Sequence, residues 1–187
     1  MEKNITKEII GLLMTDSNHV RGLAKQLKTN HVTVKNKLEE LVDLNVVDFE
    51  KKGRNKVYYI KDTIEARNYL YITELYKLNT TIKKYPVLRK IVHDIREIAE
   101  IKLAILYGSY AKGNATQHSD IDIFAETTDR KIRKALEQIN SRLSVKIGNF
   151  SMTHPLGREI DHHHVIIKGF EEYYEKKRAS APIKENR

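Results

Sequence analysis

No cysteine occurs anywhere in the 187-residue sequence. Disulfides, iron–sulfur clusters and thiolate zinc sites are thereby excluded, and the composition suits a reducing compartment. Long apolar runs are missing too. None approaches the about 18 residues that a membrane helix requires, and the N-terminus lacks the apolar core of a signal peptide. The expectation is a cytoplasmic protein with no membrane partner. Internal repeats and low-complexity segments are also absent from the sequence. What is present is 40% hydrophobic and 32% charged residues, the balance of a globular protein, in a chain long enough for one or two small cores. The formal net charge of +9 points to an acidic partner. Basic residues exceed acidic ones in both halves, so composition alone does not assign that partner to one of them.

One stretch organises the rest. Leu103 to Leu106 is an apolar run that reads as a buried strand and ends in Gly108-Ser109. A short polar segment with Gly113 follows, and then Asp120-Ile-Asp-Ile-Phe124 alternates polar and apolar as a second strand does. On a strand, Asp120 and Asp122 point to one face while Ile121 and Ile123 point to the other, toward a core. Two carboxylates held so close repel each other unless a cation lies between them. The chemical reading is a divalent-metal site, with Mg²⁺ or Mn²⁺ bound by Asp120, Asp122 and substrate phosphates. Gly108 allows close approach of the backbone, Ser109 offers a hydroxyl, and the amides that follow can point at a phosphate at a helix start.

Gly108-Ser109, a spacer and Asp120-x-Asp122 resemble the signature of the DNA polymerase β-like nucleotidyltransferase superfamily, and in particular its small "minimal nucleotidyltransferase" domains. The resemblance covers roughly residues 86 to 175. It implies an α/β domain that binds a Mg²⁺–nucleoside triphosphate, with Asp120 and Asp122 as catalytic and metal-binding residues and Gly108, Ser109 and Lys112 on the nucleotide. It also implies transfer of a nucleotide to an acceptor, which in antitoxin-like members is a partner protein. The sequence departs from the pattern in one respect. Active members carry a third carboxylate on the strand after the next helix, and here Ser144 to Ser151 contains no acid; Lys146 and Asn149 are poor replacements, and Glu159 and Asp161 lie beyond the expected strand.

Residues 4 to 62 read as three helices and a hairpin. The apolar spacings are Ile5, Ile9, Leu12 and Leu13; then Val20, Leu23, Ala24 and Leu27; then Val34, Leu38, Leu41 and Val42, with Thr29 or Asn30 as a cap. Val46 to Glu50 and Val57 to Ile60 flank a turn at Lys52-Gly-Arg-Asn55. This order looks like a winged helix-turn-helix DNA-binding domain. Asn30, His31, Thr33, Lys35, Asn36 and Lys37 on the third helix are the candidates for base edges and phosphates of duplex DNA. Lys51, Lys52, Arg54 and Lys56 on the wing are the candidates for backbone phosphates.

Residues 63 to 84 predict one long helix with an apolar stripe of Ile64, Tyr69, Ile72, Leu75, Tyr76 and Leu78, a candidate homodimer seam. Pro86 marks the expected boundary. Leu88, Ile91, Val92, Ile95 and Ile98 predict a further helix leading into the Leu103 strand. After the paired aspartates the sequence predicts a capped helix over 130–142, a strand from Ser144 to Met152, a short helix over 156–162, an apolar segment Val165 to Ile167 and a last helix from Phe170. The run His162-His-His164 beside Asp161 reads as a solvated turn rather than a metal site. The fold class expected is α+β: a winged helix-turn-helix over 1–62, a connecting helix over 63–85, an α/β nucleotidyltransferase-like domain with a small mixed sheet over 86–178, and a flexible tail over 179–187. The function expected is a DNA-binding protein carrying a nucleotidyltransferase-like domain. The alternative is a transcriptional regulator whose second domain is catalytically inactive and senses nucleotide or mediates assembly.

Overall fold

The structure, a computed structural model, describes residues 4–180. The chain divides into two units, Met1–Tyr76 and Lys77–Arg187, and the fold class is α+β.

The first unit begins with α1 (Ile5–Leu13), whose N-cap Asn4 accepts a hydrogen bond from the Lys7 amide. A two-residue strand β1 (Asn18–His19) leads into α2 (Val20–Leu27), which ends at Lys28 in a left-handed conformation. Asn30 then caps α3 (His31–Asp43), its side-chain oxygen accepting from Val32 N at 2.8 Å. β2 (Val47–Lys52) and β3 (Asn55–Ile60) form an antiparallel hairpin whose turn opens on Gly53 at φ +62°. β1 adds to the other side of β3, giving the order β1-β3-β2. This is the winged helix-turn-helix arrangement. Its core is Ile9, Ile10 and Leu13 from α1, Leu23 from α2, Val34, Leu38 and Leu41 from α3, and Val46, Val47 and Tyr58. Each of the large apolar side chains contributes on the order of 1.5–3 kcal/mol by leaving water.

Helix α4 (Ile64–Lys84) gives Ala66, Tyr69 and Leu70 to the core of the first unit, while Leu78 and Ile82 belong to the core of the second. The division between units therefore falls inside this helix, ahead of Pro86. The apolar stripe read from its sequence splits accordingly: Leu78 is buried, whereas Ile64, Ile72 and Leu75 are exposed.

The second unit continues with α5 (Leu88–Glu97), β4 (Ala104–Tyr107), a short helix α6 (Gly108–Lys112), β5 (Ile121–Glu126), α7 (Arg130–Ile139), β6 (Leu143–Gly148), α8 (Pro155–His162), β7 (Val165–Lys168) and α9 (Phe170–Ser180). The sheet order is β6-β5-β4-β7, with β5–β6 parallel and the β4–β5 and β4–β7 pairs antiparallel. One face, including Ala104, Leu106, Ile121, Ile123 and Val145, packs with the apolar sides of α5 and α7. The other, including Ile105, Tyr107, Phe124 and Ile166, packs with Phe150, Ile160 of α8 and Tyr173 of α9. The alternation of Asp122 with Ile121 and Ile123 thus has the physical basis expected of it.

Several boundaries differ from the sequence reading, among them the end of α7, which stops at Ile139 rather than 142. β5 begins at Ile121, so Asp120 is the last residue of the preceding loop. β6 stops at Gly148 rather than Met152, because the chain turns there and Phe150 N donates to Glu126 Oε1 at 2.9 Å. Helix α9 runs through Ser180, so residues 179 and 180 are helical; the rest of the expected tail, 181–187, lies outside the described residues.

Candidate functional site

β4 ends at Tyr107, which pairs with Asp122 of the antiparallel neighbour. The chain then turns through Gly108 at φ +67°, a conformation that side chains with a Cβ rarely adopt. The turn is tight for a second reason: a Cβ at position 108 would lie 2.2 Å from Asp122 Oδ2. The Asp122 carboxylate therefore rests directly against the start of α6. Ser109 is half-buried beside it and Lys112 is exposed near the end of α6.

The loop from Asn114 to Asp120 is held from several sides. Asn114 N donates to Ser109 O at 3.1 Å and Thr116 N to Ser119 Oγ at 2.9 Å. The Arg142 guanidinium donates to Gln117 O at 2.9 Å and to Tyr110 Oη at 3.3 Å. Lys84 Nζ donates to Gly113 O at 2.6 Å. Asp120, exposed, is delivered by this loop to the edge of β5, two residues from the half-buried Asp122.

Burial raises the Asp122 carboxyl above the ordinary aspartate range. Asp120 and Glu159 push it further up, while the Ser144 hydroxyl and Lys146 act against the rise. The Tyr107 hydroxyl is pushed up to about 12, first by burial and then by Asp122 and Glu159. Glu159, on α8, is therefore near enough for its charge to act on Asp122 and Tyr107. Neither its position nor that of Arg142 is visible in the sequence, since both reach the site through sheet topology. Among the described residues, no group of three or more His, Asp or Glu side chains is gathered to hold a metal ion. The donor set is two neighbouring carboxylates, one of them pressed against a glycine turn. That suits Mg²⁺, which binds through one or two carboxylates together with substrate phosphates.

The histidine run divides. His162 and His163 are exposed, whereas His164 is buried with Nδ1 at 3.0 Å from Ile160 O and 3.3 Å from Tyr173 Oη. Asp161 accepts from Tyr173 Oη at 2.7 Å and from Lys177 Nζ at 2.5 Å. These residues tie α8, β7 and α9 together.

In the first unit, His31, Lys35 and Asn36 are exposed on α3, Thr33 and Lys37 are half-buried, and Asn30 is committed to its cap. Lys35 pairs with Glu39 at 3.6 Å and Lys37 with Glu40 at 2.6 Å, exposed pairs of small energetic weight. On the wing, Lys51, Lys52 and Arg54 are exposed, Lys52 lies 4.0 Å from Glu50, and Lys56 Nζ sits 3.8 Å from the centre of the Phe49 ring. Arg21, Lys25 and Lys28 of α2 and its cap line a surface depression together with Asn30 and His31. The sequence reading did not include those α2 cations, whose shared exposed side emerges once the helix is formed.

No helix among the described residues is long and apolar enough to cross a membrane. Comparison with curated proteins gives no match. Among solved structures, the chain is similar to the adhesin competence repressor AdcR from Streptococcus pyogenes, at 19% identity over 51% of this chain and 80% of that one, with a TM-score of 0.34. Residues 89–172 match the family model described as Polymerase beta, Nucleotidyltransferase, and the second unit accordingly carries a nucleotidyltransferase-like domain.

Proposed function

We propose that this chain is a DNA-binding protein whose nucleotidyltransferase-like domain binds a nucleoside triphosphate with Mg²⁺ or Mn²⁺. The observation that carries the reading is the Asp122 carboxylate set against the Gly108 turn, with Asp120 alongside, inside the segment that matches the family model. Asp120 and Asp122 would hold the divalent ion, which when bound neutralises the phosphates and relieves the repulsion between the two acids. Gly108, Ser109 and Lys112 would contact the phosphate chain. In a transfer reaction, the oxygen of an acceptor hydroxyl bonds to the α-phosphorus, the bond from that phosphorus to the α,β-bridging oxygen breaks, pyrophosphate leaves with the electron pair, and the hydroxyl proton passes to solvent. A partner protein is the acceptor class that the antitoxin-like resemblance suggests.

A second reading is a regulator that binds nucleotide without transferring it. It is favoured by β6, which turns Ser144 and Lys146, rather than an acid, toward the face bearing Asp122. In both readings the exposed cations of α3, the wing and α2 contact duplex DNA, and the exposed apolar positions of α4 form a homodimer seam. Calorimetry with ATP in Mg²⁺, followed by label transfer from α-labelled ATP to candidate acceptors, separates them. Binding with transfer supports the first, binding without transfer the second, and no binding removes both.

A further inference from the structure

β6 is an edge strand of its sheet and runs parallel to β5, with Ser144 opposite Asp122 and Lys146 opposite Phe124. Directly paired residues, and residues two apart on a strand, share a face. Asp122, Ser144 and Lys146 therefore stand on one side of the sheet. Phe124, opposite Lys146, is buried in the core on that side, while Lys146 at the sheet edge is exposed. The lysine is near enough for its charge to act on Asp122, against the influence of Asp120 and Glu159. This places a solvated cation on the face that bears Asp122, the carboxylate on which Asp120 and Glu159 also act.

An ammonium is a compact point charge with three donors on a flexible stem, suited to meeting phosphate oxygens that arrive in variable positions. A triphosphate approaching Asp120, Asp122 and Glu159 is repelled by all three, and the attraction available to offset that repulsion on β6 is Lys146. We propose that Lys146 is a phosphate-binding residue of this site: it holds the polyphosphate chain of the nucleotide beside the Asp120–Asp122 pair, supplying from the chain itself positive charge that a divalent ion would otherwise bring. The inference rests on the nucleotide-binding reading above. It adds that recognition through Lys146 is of phosphate, so ATP, GTP and inorganic tripolyphosphate all gain from it. It adds also that part of the affinity survives removal of divalent ions.

The test is calorimetric titration of the full chain with ATP and with tripolyphosphate, in Mg²⁺ and in EDTA, for wild type, Lys146→Ala and Lys146→Arg. Because Lys146 is exposed on an edge strand, both variants should melt as the wild type does. Wild type is expected to bind both probes in EDTA, more weakly than in Mg²⁺. Lys146→Ala is expected to lose about tenfold or more in EDTA, the effect of removing one charged hydrogen bond, and less in Mg²⁺. Lys146→Arg is expected to keep most of the affinity. Wild type that binds in Mg²⁺ but not in EDTA, or Lys146→Ala that binds in EDTA as wild type does, overturns the role of Lys146 and leaves nucleotide binding standing. Wild type that binds in neither condition overturns the nucleotide-binding reading and this inference with it.

Discussion

Gly108 and Asp122 are fitted to each other: the glycine turns at φ +67° and leaves no room for a Cβ, which would sit 2.2 Å from Asp122 Oδ2. A side chain at 108 therefore meets two obstacles, an unfavourable backbone conformation and a carboxylate. Gly108→Ala is expected to cost about 1–3 kcal/mol of stability and to displace Asp122, weakening ATP binding in Mg²⁺ by at least about tenfold. Denaturant unfolding and calorimetry measure the two effects. Unchanged affinity in a folded variant would mean that the carboxylate is not held by this contact.

Asp161 gives the fold a pH dependence of definite sign. Burial alone would raise its carboxyl, but hydrogen bonds from Lys177 and Tyr173, with the charges of Lys177 and His164, bring it below the ordinary value of 3.8. The folded protein thus favours the ionised form. The resulting stability is fully present above the unfolded-state value and is lost as pH falls through the lower folded-state value. Asp161→Asn should therefore be less stable than wild type at neutral pH, and the difference should shrink as pH drops below about 4. Urea unfolding of both proteins between neutral and acid pH checks this; a gap independent of pH would contradict it.

The DNA interface is tested by salt. Affinity for duplex DNA should fall steeply with ionic strength as counterions are released. Replacing Lys51, Lys52 and Arg54 by Ala should flatten the slope by up to about 2.7 units, at about 0.9 per phosphate contacted. The same replacement of Arg21, Lys25 and Lys28, which line the depression by α3, is expected to have an effect of similar size. Slopes unchanged in both triple variants would count against these surfaces.

The exposed face of α4 concerns assembly. Ile64, Ile72 and Leu75 are 65%, 46% and 40% exposed and fall on one side of a helix. A dimer is expected, and Ile72→Glu with Leu75→Glu should convert it to the 21.8 kDa single chain. Sedimentation equilibrium of wild type showing only that mass at micromolar concentration would reject the dimer.

Much of this architecture is legible before folding because it is local. The apolar spacing of Val34, Leu38 and Leu41 marks α3, Asn30 caps it, Gly53 marks the wing turn, and Gly108 and Asp122 announce the strand–turn–strand site. What could not be read depends on distant pairing. β1 is two residues long and exists because Asn18 and His19 meet Tyr58 and Val57. Lys146 looks like a failed acid in the sequence, and only the parallel register with β5 turns it into a cation beside Asp122. Glu159 comes near enough to act on Asp122 because α8 covers that face of the sheet. The strand pattern of the sequence runs past the end of β6 because the apolar residue Phe150 continues it, while its backbone amide bonds to Glu126 instead of a ladder partner.

The paired aspartates carry the central claim, and one measurement addresses it most directly: calorimetric titration of ATP into wild type and into the Asp120→Asn, Asp122→Asn double variant, in millimolar Mg²⁺. With the repulsion between the two acids removed, the double variant should fold as well as wild type or slightly better without ligand. It should also lose the Mg²⁺-dependent part of nucleotide binding. Wild type that binds no ATP in Mg²⁺, or a double variant whose Mg²⁺-dependent binding is intact, would contradict the account.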